Sequence, residues 1–195
     1  MNFIQIGANI GASENDVIWN LMEEKKWKGV LVEPVPESFN RLVENYKSIE
    51  GCFFEQSAIA DYDGEITIYS RSDYKNKSQQ ASINKNHWGN DKSNKVNCLK
   101  LESLVSKYGL LNKEFDLLQI DAEGADDLIL LNCDFNKVKP KEIRFESVHL
   151  GRGRLKKVLD YLKIFGYEKT KDIYLKYVKA FPGYEHYDTM VKKIK

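Results

Sequence analysis

Short apolar runs alternate along this chain with stretches whose apolar residues recur every three or four positions. The runs at residues 3–6, 29–33 and 115–120 have the length and continuity of buried strands. Residues 36–46 and 155–162 instead place their apolar side chains on one face of a helix. This alternation of strand and helix predicts an α/β fold with a mostly parallel, doubly wound sheet.

Two segments predict antiparallel pairing within this fold. Residues 52–60 predict one strand, and the alternating residues 65–69 follow it after a turn signal, so the two are expected to form a hairpin. Near the C-terminus, residues 167–170 and 173–178 predict a second antiparallel pair around a tight turn at residues 171–172. The sheet is therefore expected to end in an antiparallel C-terminal strand.

The first predicted strand runs into a loop that contains Gly7 and Gly11. Glycine lets a backbone pass close to a ligand. The serine and acids of residues 13–16 predict a capped helix start, whose free N–H groups can bind a polar ligand. Glu33 ends the second strand, where a ribose-binding carboxylate is expected in a nucleotide-binding sheet. These features predict a nucleotide-type binding site, here called the cradle, formed by the loop with Gly7 and Gly11, the helix start at residues 13–16 and Glu33.

The size and charge of the chain narrow the possible classes of protein. Its 195 residues are enough for one domain, so residues 1–195 are expected to fold as a single unit. A hydrophobic content of 42% and an aromatic content of 12% supply a core and exclude wholesale disorder. A net charge of +1 gives no electrostatic case for a nucleic-acid or membrane partner.

The cysteines and the N-terminus indicate a cytoplasmic protein. Cys52, Cys98 and Cys133 have no metal-ligand spacing and no paired arrangement, which argues against a zinc site and a disulfide framework. The N-terminus runs directly into a strand and shows neither a signal peptide nor an apolar span. We therefore expect a reducing, cytoplasmic environment.

A polar segment, residues 71–95, interrupts the alternation of strands and helices. It contains six basic and two acidic residues, for a local charge of +4, and few apolar ones. Loops of this length inside a compact domain are usually functional or disordered. We expect either a mobile lid, with His87 and Trp88 as its distinctive side chains, or a solvated insertion.

Polar residues recur at the ends of the predicted strands. Ligands of open α/β sheets bind outside the carboxyl ends of the strands, so these residues together predict a site. A lone acid at such a place is more often a helix cap or turn former. The set comprises Gln5, Asn9, Glu33, Ser57, Asp121, Glu123, Glu146 and His149.

The spacing of the two glycines helps to choose the ligand. Dinucleotide sites use the pattern GxGxxG, in which the middle glycine makes room for a pyrophosphate. Here Asn9 stands where that glycine is expected. A ligand without a pyrophosphate fits better, and S-adenosylmethionine is such a ligand. A carboxylate at Glu33 suits the paired donors of its ribose. An NAD-dependent oxidoreductase is the disfavoured alternative.

Four blocks of this sequence resemble the FkbM-type methyltransferases, over residues 2–146. The blocks are QIGANIG from Gln5, VEP from Val32, AIAD from Ala58 with Gly64, and IDAEG from Ile120. The resemblance implies a Rossmann-like class I methyltransferase fold, S-adenosylmethionine as cofactor, and methyl transfer to a hydroxyl of a sugar, glycan or other small metabolite. The resemblance implies that the cofactor is bound by Gln5, Gly7, Ala8, Asn9, Gly11, Glu33, Pro34, Ser57, Ala58 and Asp121.

One departure from the family leaves a second function open. The family usually has an acid where this chain has Gln5, and a neutral amide accepts a hydrogen bond from the methionine ammonium without a full charge. The alternative is a binding module that keeps the cradle without turnover.

Methyl transfer to an alcohol requires help in removing the hydroxyl proton. The candidate catalytic residues are His149, Asp121, Glu123 and Glu146, at the ends of two predicted neighbouring strands. Because adjacent strands lie about 4.8 Å apart, these groups can converge. Either His149 acts as the base with a carboxylate orienting its ring, or the oxygen ligands hold magnesium. We favour the base and expect no metal, because a carboxylate set with a histidine is not a typical magnesium site.

Overall fold

The computed structural model describes residues 1–11, 17–70, 81–85, 92–175 and 186–194. Eleven strands and five helices lie within these ranges. In chain order they are β1 (Phe3–Ile6), α1 (Val17–Lys25), β2 (Gly29–Val32), α2 (Pro36–Asn45), β3 (Cys52–Glu55), β4 (Ala58–Ala60), β5 (Gly64–Ser70), β6 (Ala81–Ser82), β7 (Lys92–Lys100), α3 (Leu101–Lys107), β8 (Glu114–Ile120), α4 (Asp126–Leu131), β9 (Lys139–Glu146), α5 (Gly151–Ile164), β10 (Tyr167–Leu175) and β11 (His186–Lys193).

The main sheet has seven strands in the order β10-β11-β9-β8-β1-β2-β3. The five strands from β9 to β3 are parallel, and β11 pairs antiparallel with both β9 and β10. The order reverses at β1, which lies between β2 and β8. Such a reversal places the carboxyl ends of β1 and β8 beside a crevice where ligands bind. The predicted α/β sheet with an antiparallel C-terminal strand is confirmed.

Helices cover both faces of this sheet. Buried side chains of α3, α4 and α5 pack with Ile4, Ile6 and Ile120 on one face. Ile18 of α1 and Leu42 of α2 pack with residues such as Phe3 and Leu31 on the other face. Because successive strand residues point to opposite faces, one apolar run can contribute to both cores. The near-continuous apolar strands therefore suit a sheet that is covered on both sides.

A second sheet has four strands in the order β4-β7-β5-β6. The prediction of one strand over residues 52–60 was wrong, because β3 belongs to the main sheet and β4 to this one. The predicted hairpin was also wrong. β5 pairs antiparallel with β7, and β4 pairs with β7 in parallel. Alternation of apolar and polar residues predicts a strand but does not identify the strand that pairs with it. The first part of β7 is polar and exposed, so its composition does not indicate a strand.

Residues 171–172 are part of a strand and do not form the predicted turn. β10 continues through these residues with a bulge between Lys169 and Lys171, and its antiparallel partner is β11. Asp172 is held within the strand pair, because its carboxylate accepts a hydrogen bond from Thr189 Oγ1 at 3.1 Å. Polar residues that signal a turn in isolation are thus accommodated here by a strand bulge.

Three predictions lie wholly or partly outside the described residues. These are the helix cap at residues 13–16, most of the polar segment, including His87 and Trp88, and residues 176–178 of the strand predicted over residues 173–178. Within the polar segment, residues 81–82 form β6 and residues 92–95 begin β7. Among the helices that the structure describes, none combines the length and apolar character needed to cross a membrane.

Candidate functional site

A cavity opens at the carboxyl ends of β1, β2 and β8, beneath the four-stranded sheet. The main sheet supplies its polar wall, and the four-stranded sheet supplies an apolar wall. Its lining comprises Ile6, Gly7, Asn9, Glu33, Pro34, Ser57, Ala58, Ile59, Ile68, Ala81, Ile83, Asp121, Ala122, Glu123 and Ala125. The cavity lies where the reversal of strand order predicts a ligand crevice.

Most of the residues assigned to cofactor binding line this cavity, whereas Gln5, Ala8 and Gly11 do not. The sequence analysis did not identify Ile68, Ala81 and Ile83, although all three contribute to the apolar wall. Ala81 and Ile83 come from the polar segment, whose composition resembles a solvated loop. The fold brings their apolar side chains onto the site.

Glu33 lies at the end of β2, where it holds two loops together. Its side chain is buried, with Oε2 accepting the N–H of Asn9 at 2.9 Å and Oε1 accepting that of Val35 at 2.8 Å. Burial raises the pKa of Glu33 to about 7, against the effect of the two N–H donors, and the nearby Glu123 adds to the rise. The carboxylate lines the cavity and also organises its rim.

Gly7 and Gly11 allow the first loop to pack closely against neighbouring elements. Gly7 has a φ of +77°, and a Cβ there would lie 1.8 Å from the carbonyl oxygen of Asp121. Gly11 has a φ of +56°, and a Cβ there would lie 2.3 Å from the ring of Tyr46, directly after α2, and 2.8 Å from Leu42 of α2. The loop thus lies directly against the end of β8 on one side and against α2 on the other. Gly7 additionally lines the cavity.

Several buried polar atoms around the cradle have no hydrogen-bond partner among the described residues. Four of them are Asn9 Oδ1, Ser57 Oγ and Asp121 Oδ1, which belong to cavity-lining residues, and Gln5 Oε1. Buried polar atoms are normally paired, so such a group suits a polar ligand. Three of the four are carbonyl or carboxylate oxygens, which accept hydrogen bonds. Together with Glu33, they fit the ammonium and ribose hydroxyl donors of S-adenosylmethionine.

Glu123, Glu146 and His149 form a cluster beside the cavity. Nε2 of His149 lies 3.5 Å from Glu146 Oε2 and 3.9 Å from Glu123 Oε2. One ligand atom from each residue lies within 4.8 Å of the others, a spacing that could also hold a metal ion. Glu123 lines the cavity itself. The strand ends thus bring together three of the four predicted catalytic residues.

Acidic side chains crowd the carboxyl ends of β8 and β9. Burial raises the pKa of Glu146 to about 9, and the charges of Glu123, Asp126 and Asp188 add to the effect. The pKa of Asp121 is likewise raised by burial and then by Glu146 and Glu123. Elevated carboxyl pKa values of this kind often mark functional sites.

Asp126, which the sequence analysis did not single out, ties the ends of β8 and β9 together. It is fully buried, and its carboxylate accepts the N–H of Ala122 at 3.3 Å and that of Glu146 at 3.1 Å. Burial raises its pKa to about 7 despite these donors. In the sequence, an acid at the start of a helix indicates only a cap.

The sequence profile described as "Methyltransferase FkbM domain" matches residues 5–169 of the chain. No curated protein sequence matches this chain. Many solved structures are similar in fold, and three of them illustrate the similarity. The M. capricolum TrmK structure in complex with S-adenosylhomocysteine has a TM-score of 0.58 at 13% identity, covering 100% of this chain and 63% of that one.

The second is the Geobacter metallireducens precorrin-6y C5,15-methyltransferase, with a TM-score of 0.51 at 12% identity, covering 99% of this chain and 81% of that one. The third is Aeropyrum pernix fibrillarin with natively bound S-adenosyl-L-methionine, with a TM-score of 0.51 at 12% identity and coverages of 97% and 65%. Coverage of the TrmK and fibrillarin chains is below two thirds. At these identities the similarity shows the class I methyltransferase fold alone.

Proposed function

Because this chain belongs to the FkbM methyltransferase family, whose cofactor is S-adenosylmethionine, we propose that it methylates a hydroxyl group of a sugar, glycan or other small metabolite. The observation that carries the proposal is the placement of the acidic and imidazole groups. Glu123 belongs both to the cavity lining and to the cluster with Glu146 and His149. An acceptor that reaches the cavity beside Glu123 therefore lies next to groups that can take up its proton.

Different residues of the proposed cofactor site would contact the ribose, the adenine and the methionine portion. Glu33 would accept the ribose hydroxyls, and Pro34, Ser57 and Ala58 would lie near the adenine. The methionine portion would be held by the first loop and its neighbours, namely Gln5, Gly7, Ala8, Asn9, Gly11 and Asp121. When bound, S-adenosylmethionine supplies an activated methyl group. The protein's task is then mainly to position the acceptor and to remove its proton.

His149 is the proposed base. An imidazole changes its protonation near neutral pH, whereas an alcohol does not ionise there. Glu146 lies 3.5 Å from Nε2 of His149, close enough to orient the ring with a small adjustment. The buried Glu146 carboxyl, whose pKa is raised to about 9, keeps its own proton near neutral pH, which leaves His149 as the group that takes up the acceptor's proton. Asp121 and Glu123 complete the acidic surroundings of the reacting hydroxyl.

Paired measurements of binding and methyl transfer test this proposal. S-adenosylhomocysteine is expected to raise the Tm and NAD is not, since only a ligand of the folded state stabilises it. Methyl-labelled S-adenosylmethionine is then supplied with sugars, glycans and hydroxylated metabolites, and with amine acceptors as the control. A product labelled on oxygen is the expected outcome. Labelling confined to nitrogen or carbon would contradict O-methylation, and binding without any transfer would favour the binding module.

A further inference from the structure

Two loops carry the proposed reacting groups. The β8–α4 loop, residues 121–125, contains Glu123, and the β9–α5 loop, residues 147–150, contains His149. The 3.9 Å separation between His149 Nε2 and Glu123 Oε2 exists only while these loops keep their relative placement. We propose that Arg154, in the first part of α5, is a positioning residue that fixes this placement. The inference rests on the proposed function for its catalytic consequence.

The guanidinium of Arg154 contacts both loops at once. Its NH2 group donates to the carbonyl of Gly124 at 2.8 Å, and its NH1 group donates to the carbonyl of His149 at 3.4 Å. Two further hydrogen bonds join it to the carboxylate of Asp127, one of them from Nε at 2.6 Å. Because Asp127 lies in the first turn of α4, the guanidinium is anchored while it reaches the two carbonyls. A planar, five-donor group is suited to this arrangement.

The β8–α4 loop has a conformation that needs such support. Glu123 has a φ of +48° and Gly124 a φ of +90°. A left-handed conformation at a residue other than glycine is unfavourable and persists only where its surroundings impose it. Here Ser82 Oγ donates to the carbonyl of Glu123 at 2.9 Å, and Arg154 donates to the next carbonyl. Side chains from two other elements therefore hold two successive carbonyl groups.

Arg154 complements the internal link made by Asp126. Asp126 joins Ala122 to Glu146, at the ends of the two strands. Arg154 joins the loops further out, at Gly124 and at His149 itself. Its side chain is 46% exposed, so it can be replaced without opening the core. These contacts assign Arg154 a role in holding the imidazole against the carboxylates, without contact with the acceptor.

The test compares Arg154→Ala and Arg154→Lys with Lys156→Ala. Lys156 lies on the same helix in an exposed ion pair with Asp160, which makes it a matched control. Amide exchange is measured over residues 121–127 and 147–151. Exchange is expected to become about ten- to a hundredfold faster in both Arg154 variants and to stay unchanged in the control. Lysine keeps the charge but cannot span three acceptors, so it should not rescue.

Kinetics supply the second readout. Both Arg154 variants are expected to lower kcat about 10- to 100-fold, since small misplacements of reacting groups have effects of this size. The dissociation constant of S-adenosylhomocysteine should stay unchanged. Unaltered amide exchange, or full rescue by lysine, would contradict the proposal that Arg154 holds the two loops together. Faster exchange with normal kcat would overturn the positioning role. If the wild-type protein methylates no acceptor, the proposed function fails, while the exchange data still decide whether Arg154 holds the loops.

Discussion

Glu33 has a structural role in addition to its proposed role in ribose binding. Each of its carboxylate oxygens already accepts a backbone N–H, from Asn9 and from Val35. A carboxylate has about four lone-pair sites, so capacity remains for ribose hydroxyls. The sequence suggests only the ligand role, because an acid at the end of a strand does not reveal which backbone donors surround it.

Ionisation of Glu33 is expected to couple cofactor binding to pH. Its pKa is about 7 in the ligand-free protein, and hydroxyl donors favour the charged form. The affinity for S-adenosylhomocysteine should therefore increase as pH rises through about 7, with proton release measurable by calorimetry in buffers of different ionisation enthalpy. Glu33→Gln should remove this dependence and weaken binding, whereas the exposed Glu50→Gln should do neither. A pH-independent affinity in the wild-type protein would remove Glu33 from the ribose site.

His149→Ala is expected to lower turnover about 10²–10⁴-fold while leaving S-adenosylhomocysteine affinity intact, because the imidazole is proposed to remove the acceptor proton. Treatment with EDTA should not change wild-type activity. If EDTA abolishes activity and magnesium restores it, Glu123, Glu146 and His149 act as metal ligands instead, which their spacing permits. An alanine variant with normal turnover would exclude His149 as the base.

At the level of elements, the first loop is held between β8 and α2. The pattern of Gly7 and Gly11 suggested close approach to a ligand, and the structure adds close approach to protein. Gly7 meets the backbone of Asp121, and Gly11 meets the side chains of Tyr46 and Leu42. The loop that forms the cradle is therefore built into the contact between neighbouring elements.

Gly7→Ala is expected to lower the free energy of unfolding by about 2–6 kcal/mol. Backbone strain at a φ of +77° and overpacking against Asp121 each contribute roughly 1–3 kcal/mol. Gly153→Ala is the control, because Gly153 lies in α5 with nothing within 4 Å of an added Cβ. That substitution should stabilise the protein by up to about 1 kcal/mol. Chemical denaturation measures both effects, and equal stability of the two variants would contradict the packing argument.

Across the whole molecule, buried acids concentrate at the carboxyl ends of the main sheet. The pKa values of Glu33 and Asp126 are raised to about 7, and that of Glu146 to about 9. An acid whose pKa is higher in the folded state binds its proton more tightly there than in the unfolded chain. Stability contributed in this way is present at low pH and is lost as pH rises through the folded pKa.

The Tm of the ligand-free protein is therefore expected to be lower at about pH 8 than at about pH 6. Glu146→Gln should reduce this difference, because it removes the acid whose pKa is raised to about 9. Acids with lowered pKa values, such as the exposed Asp63 and the half-buried Asp134, act in the opposite sense, but only in the more acidic range. Thermal unfolding monitored by circular dichroism measures the difference. A Tm that increases from pH 6 to pH 8 would contradict the burial of these acids.

The sequence alone determined the parallel sheet and much of the polar wall of the site. Apolar runs such as residues 3–6 and 115–120 are periodic signals that local sequence carries in full. Once these strands are parallel, residues at their carboxyl ends must share one edge of the sheet. That rule predicts that Glu33, Asp121 and Glu123 lie together, and all three line the cavity. The match to the family over residues 5–169 confirms the resemblance.

Only the tertiary structure decided the strand partners, the apolar wall and the support of the loops. Periodicity indicates which face of a strand is buried but not which strand lies beside it. The pairing of β5 with β7 therefore could not be predicted from the sequence. Ala81 and Ile83 lie in a polar segment, and both line the cavity because β6, which contains Ala81, pairs with β5. Arg154 contacts Gly124, thirty residues away along the chain. Contacts at such separations depend on the assembled core, because no local propensity encodes them.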